Sequence, residues 1–189
     1  SFPTRRSSDL VKGRFEILDG ASLELNQIIL DGKDNSSTDQ AFNFKTADVT
    51  YPTLSVLNSE VRNFGKGVYY LNVAATVNKL EFVNTKISGI ECDGGDMFDC
   101  RKGRIDELNF INCAMFNSCA AHDFIRMDDA SKLGGTPTIT VDHCTINACA
   151  NAKGKRLLYV RYVGNVIKWT NNLVTNTAAA WSNQSKTGV

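Results

Sequence analysis

The chain has 189 residues, 42% hydrophobic and 22% charged, a composition that suits one folded core and excludes a disordered chain. Its 21 basic and 20 acidic residues leave a net charge of +1, so no nucleic-acid partner or anionic lipid surface is implied by bulk charge. No run approaches about eighteen consecutive apolar residues, so no membrane span is expected.

In chain order, residues 1–10 come first, and they lack both a Met start and the apolar run of a signal peptide. They have no place in the pattern that follows and read as a non-native, adapter-like segment. Residues 11–189 are then a single domain, a fragment of a longer protein whose export signal is not present. From residue 15 a short unit recurs, clearest as L-N-F-I-N-C-A-M-F-N at 108–117. Leu108 and Phe110 are followed by a polar anchor, Asn112, and three residues later by Met115. The other copies are Leu23, Leu25, Gln27, Leu30; Leu54, Val56, Asn58, Val61; Leu80, Phe82, Asn84, Ile87; Ile139, Val141, His143, Ile146; and Ile167, Trp169, Asn171, Val174. The anchors are separated by 31, 26, 28, 31 and 28 residues, a period that marks a solenoid. Within each copy apolar residues alternate, which points successive side chains to opposite faces as a strand requires.

Ahead of each anchor lies another alternating run: residues 15–17, 42–45, 69–72, 98–101, 125–128 and 158–161. Between runs stand turn formers such as Asp19-Gly20, residues 65–67 and 93–96, Gly134-Gly135 and Gly164-Asn165. One coil is therefore three short strands and three turns. Similar strands lie one coil apart, so like stacks on like in parallel sheets. The fold is an all-β parallel β-helix of about six coils, rising about 4.8 Å per coil. Residues 178–182 read as the start of a seventh.

Asn suits the anchor because it tolerates left-handed backbone angles and its amide both donates and accepts, so stacked copies form a ladder. Asn58, Asn84, Asn112 and Asn171 fit this pattern, which resembles the asparagine ladder of the pectate-lyase-like superfamily of right-handed parallel β-helices. Gln27 and His143 depart from it, and the ladder is expected to break at both. The phrasing I-N-C-A-M-F-N, F-I-R-M-D, L-L-Y-V-R-Y-V-G-N and W-T-N-N-L-V-T-N-T further resembles β-helix domains of Bacteroidota polysaccharide-utilisation proteins. The resemblance implies a secreted, periplasmic or cell-surface protein with a polysaccharide partner.

Six cysteines are many for this length. Cys113 and Cys144 share a repeat position, and Cys119 and Cys149 are nearly equivalent. A buried column of free thiols is expected first, with disulfides between coils as the alternative. A zinc site from Cys113, Cys119 and His122 lacks paired C-x-x-C spacing. His143 reads as a stacked polar residue.

In that superfamily glycan clefts lie along the first sheet. With Phe44, Leu71, Cys100, Met127 and Val160 facing in, one outward column is Asn43, Tyr70, Asp99, Arg126, Tyr159 and the next is Lys45, Asn72, Arg101, Asp128, Arg161. Arginines and tyrosines suit a sugar acid, the first gripping its carboxylate and the second stacking on its ring. Lys45, Tyr70, Arg101 and Asp128 are the expected substrate contacts. The competing reading is a solvated structural face, on which Asp99, Arg126, Asp128, Arg101 and Arg161 neutralise one another. An insertion at residues 129–137 favours a site.

The resemblance implies β-elimination if the domain is an enzyme. That chemistry needs a cation at the uronate carboxylate, for which Arg126 or Arg161 are candidates, and a base, for which Tyr159, Lys102 or His122 are candidates. Calcium through Asp93, Asp96 or Asp99 is the cofactor to test, against the reading of D-G-G-D as a turn. Against an enzyme, the Arg-x-Pro segment of pectate lyases is absent. Of the polygalacturonase N-T-D, G-H-G and R-x-K set, only Asp128-Asp129 resembles a piece. A non-catalytic structural or adhesive cell-surface solenoid is the alternative.

Overall fold

A computed structural model describes residues 9–33, 39–128, 131–161 and 164–178. Asp129, most of the segment 178–182 and residues 1–8 lie outside these. Among the described residues nineteen strands follow one another: β1 (Leu10–Lys12), β2 (Phe15–Ile17), β3 (Leu23–Asn26), β4 (Ile29–Asp31), β5 (Gln40–Phe44), β6 (Thr50–Leu57), β7 (Glu60–Arg62), β8 (Gly67–Leu71), β9 (Thr76–Val83), β10 (Lys86–Ser88), β11 (Phe98–Cys100), β12 (Arg104–Ile111), β13 (Ala114–Ser118), β14 (Ile125–Met127), β15 (Thr138–Asp142), β16 (Thr145–Cys149), β17 (Leu158–Val160), β18 (Val166–Thr170) and β19 (Leu173–Thr175).

Each strand pairs in parallel with the strand three places on, which builds three sheets. The first runs β2-β5-β8-β11-β14-β17, the second β3-β6-β9-β12-β15-β18 and the third β1-β4-β7-β10-β13-β16-β19. This is the expected three-sheet parallel β-solenoid, with six strands in each of the first two sheets and five coil-to-coil steps between them. One boundary moves: Leu10 pairs with Ile29 in the third sheet, so the solenoid takes in a residue that the repeat alone leaves out.

Register follows the apolar alternation. Leu23, Leu54, Leu80, Leu108, Ile139 and Ile167 stand in one column of the second sheet, and the middle four are fully buried. A slip of one residue would turn this column to solvent, so burial fixes the pairing. The rings of Phe82, Phe98 and Phe110 fill the interior, with centroids 4.5 to 5.7 Å apart.

The anchors open the turn into the third sheet, and all six have positive φ, from 49° at Asn58 to 59° at Gln27. Amide hydrogen bonds climb from Asn26 to Asn58, Asn84 and Asn112, each Nδ2 donating to the Oδ1 one coil down over 2.8 to 3.0 Å. The expected break at Gln27 is thus repaired by its neighbour Asn26. At His143 the preceding residue again steps in: Asn171 donates to Asp142 over 3.0 Å. His143 itself is 63% exposed and pairs with Asp142 through Nδ1, so it is not a stacked ladder member.

Candidate functional site

The first-sheet columns fall where alternation places them. Asp99 is in register with Tyr70 and Arg126, and Arg126 with Tyr159. Leu71, Cys100, Met127 and Val160 face the core. The column that follows continues the parallel ladder, because the N–H groups of Lys45, Arg101, Asp128 and Arg161 donate to Ile17, Leu71, Cys100 and Met127.

Three successive coils carry the same hexad at this face: D-M-F-D-C-R from Asp96, D-F-I-R-M-D from Asp123 and R-L-L-Y-V-R from Arg156. Positions one, four and six are polar in each. Asp123 and Arg156 were not among the sequence candidates, although aligning these hexads would have revealed them. Together they make a lattice in which four carboxylates, Asp96, Asp99, Asp123 and Asp128, meet four guanidinium groups, Arg101, Arg126, Arg156 and Arg161. Arg101 grips Asp99 over 2.8 to 3.0 Å. Arg126 spans two coils, bonding Asp128 at 2.8 and 3.0 Å and Asp96 at 3.2 Å. Arg156 holds Asp123 at 2.6 and 2.9 Å. Arg161 reaches Asp128 only at 3.7 Å.

The carboxylates also cap the backbone. Asp96 accepts the Asp123 N–H at 3.0 Å, and Asp123 accepts the Arg156 N–H at 2.9 Å. These bonds lock one coil's turn to the next.

One expectation fails here. Asp99 does not lie on a solvated sheet: its side chain is fully buried, under the turn that carries Asp96. Burial raises its pKa above the ordinary carboxylate value, opposed by the Arg101 hydrogen bonds. Those same bonds raise Arg101, and the bonds to Asp128 raise Arg126. A pair buried this way loses more when one partner is removed than it contributes to net stability, because a buried charge is left alone.

Of the catalytic candidates, Arg126, Arg161 and Tyr159 come together. Their guanidinium carbons lie 5.3 and 5.8 Å from the Tyr159 ring centre, and Arg156 stacks on the ring at 3.9 Å. Tyr70 takes Arg101 at 5.5 Å. Each contact is a cation–π attraction of about 1 kcal/mol at such partly buried sites. His122 lies in the turn before β14, where its N–H donates to the Cys119 carbonyl, and Lys102 is exposed beyond β11; among the described residues no hydrogen bond or ion pair joins either side chain to the lattice. Lys45 pairs with Glu16 Oε1 at 3.5 Å, an oxygen it shares with Arg14.

Among the described residues no three His, Cys, Asp or Glu side chains gather as a metal set. Asp96 and Asp99 are already taken by Arg126 and Arg101, and the Asp93 backbone closes a turn onto Gly65. This donor set does not fit calcium, which needs six or more oxygens free of competing cations.

The cysteines divide. Cys113 and Cys144 are buried free thiols, as the column reading requires, and each Sγ bonds a carbonyl one coil down. The hydrogen bond with the neighbouring Cys144, and then burial, push the Cys113 thiol up, away from the reactive thiolate. Cys92 and Cys119 form a disulfide between neighbouring coils, Cα atoms 5.2 Å apart. Cys119 and Cys149 are offset by one position, in keeping with near-equivalence: Cys149 is in register with Ser118, and the Ala150 N–H bonds the Cys119 carbonyl.

No helix of the described residues is long and apolar enough to cross a membrane. No curated protein and no solved structure matches the chain. Residues 3–118 match a family described as a domain of unknown function, DUF4957, over more than half the chain. The protein is a member of the DUF4957 family, built as a parallel β-solenoid.

Proposed function

We propose that this solenoid is an exported, glycan-directed domain that binds an acidic polysaccharide along the C-terminal edge of its first sheet. The observation that carries this reading is the row Lys45, Asn72, Arg101, Asp128, Arg161. Its three cations are 42%, 30% and 28% exposed. Arg101 spends Nε and Nη2 on Asp99, which aims the guanidinium and leaves Nη1 for an anion; Arg161 is held by its long pair with Asp128 and by the Tyr159 ring. A guanidinium fixed in this way grips a carboxylate at little further entropic cost.

The resemblance to pectate-lyase-like β-helices points to the same sheet, and that to β-helix domains of Bacteroidota polysaccharide-utilisation proteins points to export and a glycan. The Cys92–Cys119 disulfide supports an oxidising compartment, hence the periplasm or cell exterior. Binding, rather than β-elimination, is the activity that the geometry supports. Tyr159 has Arg156 stacked on its ring, and Lys102 and His122 stand outside the lattice. Lyase activity is a separate matter, read from the ultraviolet absorbance of the unsaturated product on a panel of uronate polymers.

A second reading, a structural or adhesive cell-surface solenoid, is favoured by the closure of four carboxylates on four guanidinium groups. Electrophoresis through native gels that hold polygalacturonate, hyaluronan or a neutral glucan separates the two. The binding reading predicts retardation by at least one acidic polymer and by no neutral one, weakened in Arg161→Ala, which removes one long ion pair and one cation–π contact. Unretarded migration in all three gels would leave the structural reading.

A further inference from the structure

The row at the C-terminal edge of the first sheet has a period of its own. Read along the solenoid axis from the second coil, it runs Lys45, Asn72, Arg101, Asp128, Arg161: cation, neutral amide, cation, carboxylate, cation. The first coil puts exposed Leu18 at this position, which ends the row. Lys45 and Asn72 directly follow the paired residues Phe44 and Leu71, and the backbone bonds of Arg101, Asp128 and Arg161 to the coil before continue the ladder from there.

Adjacent parallel strands are about 4.8 Å apart, so cations recur at about 9.6 Å, once every second strand. An extended glycan advances by about one strand spacing per pyranose, so a chain laid along the axis would set one sugar over each coil. Its acidic groups would meet cations only on alternate sugars. We infer that this edge selects a linear polysaccharide with an anionic group on every second sugar, over one with an anionic group on every sugar. The inference rests on the binding reading above and adds the substrate class to it.

Discrimination comes from Asp128 as much as from the cations. Asp128 is fixed between Arg126 and Arg161 and faces the same edge. A polyuronate in the same pose would set a carboxylate against it, and like charges at that distance repel. At Asn72 such a polymer would meet an amide with no charge to offset its own. The alternating polymer instead offers a hydroxyl-bearing neutral sugar at both places, and both side chains hydrogen-bond hydroxyls.

The test is quantitative affinity electrophoresis of the whole chain with hyaluronan, which alternates acidic and neutral sugars, and with polygalacturonate, which does not. Concentrations are matched by carboxylate. Hyaluronan should bind at least about tenfold more tightly, about 1.4 kcal/mol. The Asn72→Lys variant, which fills the gap between Lys45 and Arg101 on an edge position, should narrow that ratio by strengthening polygalacturonate. Equal or tighter binding of polygalacturonate by the unaltered chain overturns the spacing inference and leaves the binding reading standing. An unchanged ratio in folded Asn72→Lys also overturns it. Binding of neither polymer removes both.

Discussion

At the scale of single residues, the turn into the third sheet shows how side chains substitute for one another. What the turn requires is a left-handed backbone and a polar group within reach of the coil below. Gln27 and His143 meet the first requirement with φ of 59° and 53°, while Asn26 and Asp142 meet the second. The repeat pattern alone could not reveal this, because it aligns anchors by position and the repair comes from one position earlier. Asp142 carries a measurable consequence. Its carboxylate accepts from Thr170 at 2.5 Å, pairs with His143 at 2.8 Å and accepts from Asn171 at 3.0 Å, and these contacts lower its pKa from 3.8 to about 2, Thr170 first. A depressed folded pKa means that the contribution to stability is present above the ordinary value and is lost as pH falls through about 2. Urea midpoints taken between neutral pH and pH about 2 should fall for the unaltered protein more steeply than for Asp142→Asn, which has no proton to take up. Parallel slopes would contradict this account of the group.

At the scale of elements, each turn has its own interlock between coils. Ser59, Thr85, Cys113, Cys144 and Asn172 follow the anchors, and their side chains bond main-chain groups of neighbouring coils. Sulfur there does the work of a hydroxyl, which explains two of the six cysteines without chemistry. At the corner before the first sheet the interlock is the Asp96 and Asp123 carboxylates, and beside them the Cys92–Cys119 disulfide. The strands themselves were legible from alternation, down to which of Cys100 and Arg101 faces in. The disulfide was not, because Cys92 falls outside the repeated unit and only the turn brings it beside Cys119. A further strap was also hidden: the Arg104 guanidinium bonds the Leu133 and Gly134 carbonyls, holding the inserted turn against β12. The disulfide closes a loop with a sequence separation of 27, for which chain entropy gives about 3.5 kcal/mol. The Cys92→Ser/Cys119→Ser double variant should have an unfolding free energy lower than that of the unaltered chain by about that amount, and a reductant should do the same to the unaltered chain. A loss below about 1 kcal/mol, measured by urea titration, would show that the carboxylate bonds alone hold this corner.

For the whole molecule, division of labour follows the three sheets. The second and third sheets carry the regular apolar columns, the amide ladder and the thiol column, and their regularity is why the fold was readable from one sequence. The first sheet breaks that regularity on its outer face with arginine, aspartate and tyrosine, and here the charges were legible but their burial was not. Alternation says only that Asp99 points outward; the turn carrying Asp96, folded back over the sheet, is what covers it. The result is an outer face whose centre is a closed ionic lattice and whose C-terminal edge keeps partly exposed cations. The most direct measurement of that claim is calorimetric titration of acidic oligosaccharides into the unaltered protein and into Lys45→Ala/Arg161→Ala, with melting curves for both. The account predicts saturable binding that weakens at least about tenfold in the double variant while the melting midpoint stays within a few degrees. Equal affinity in the two folded proteins would contradict it.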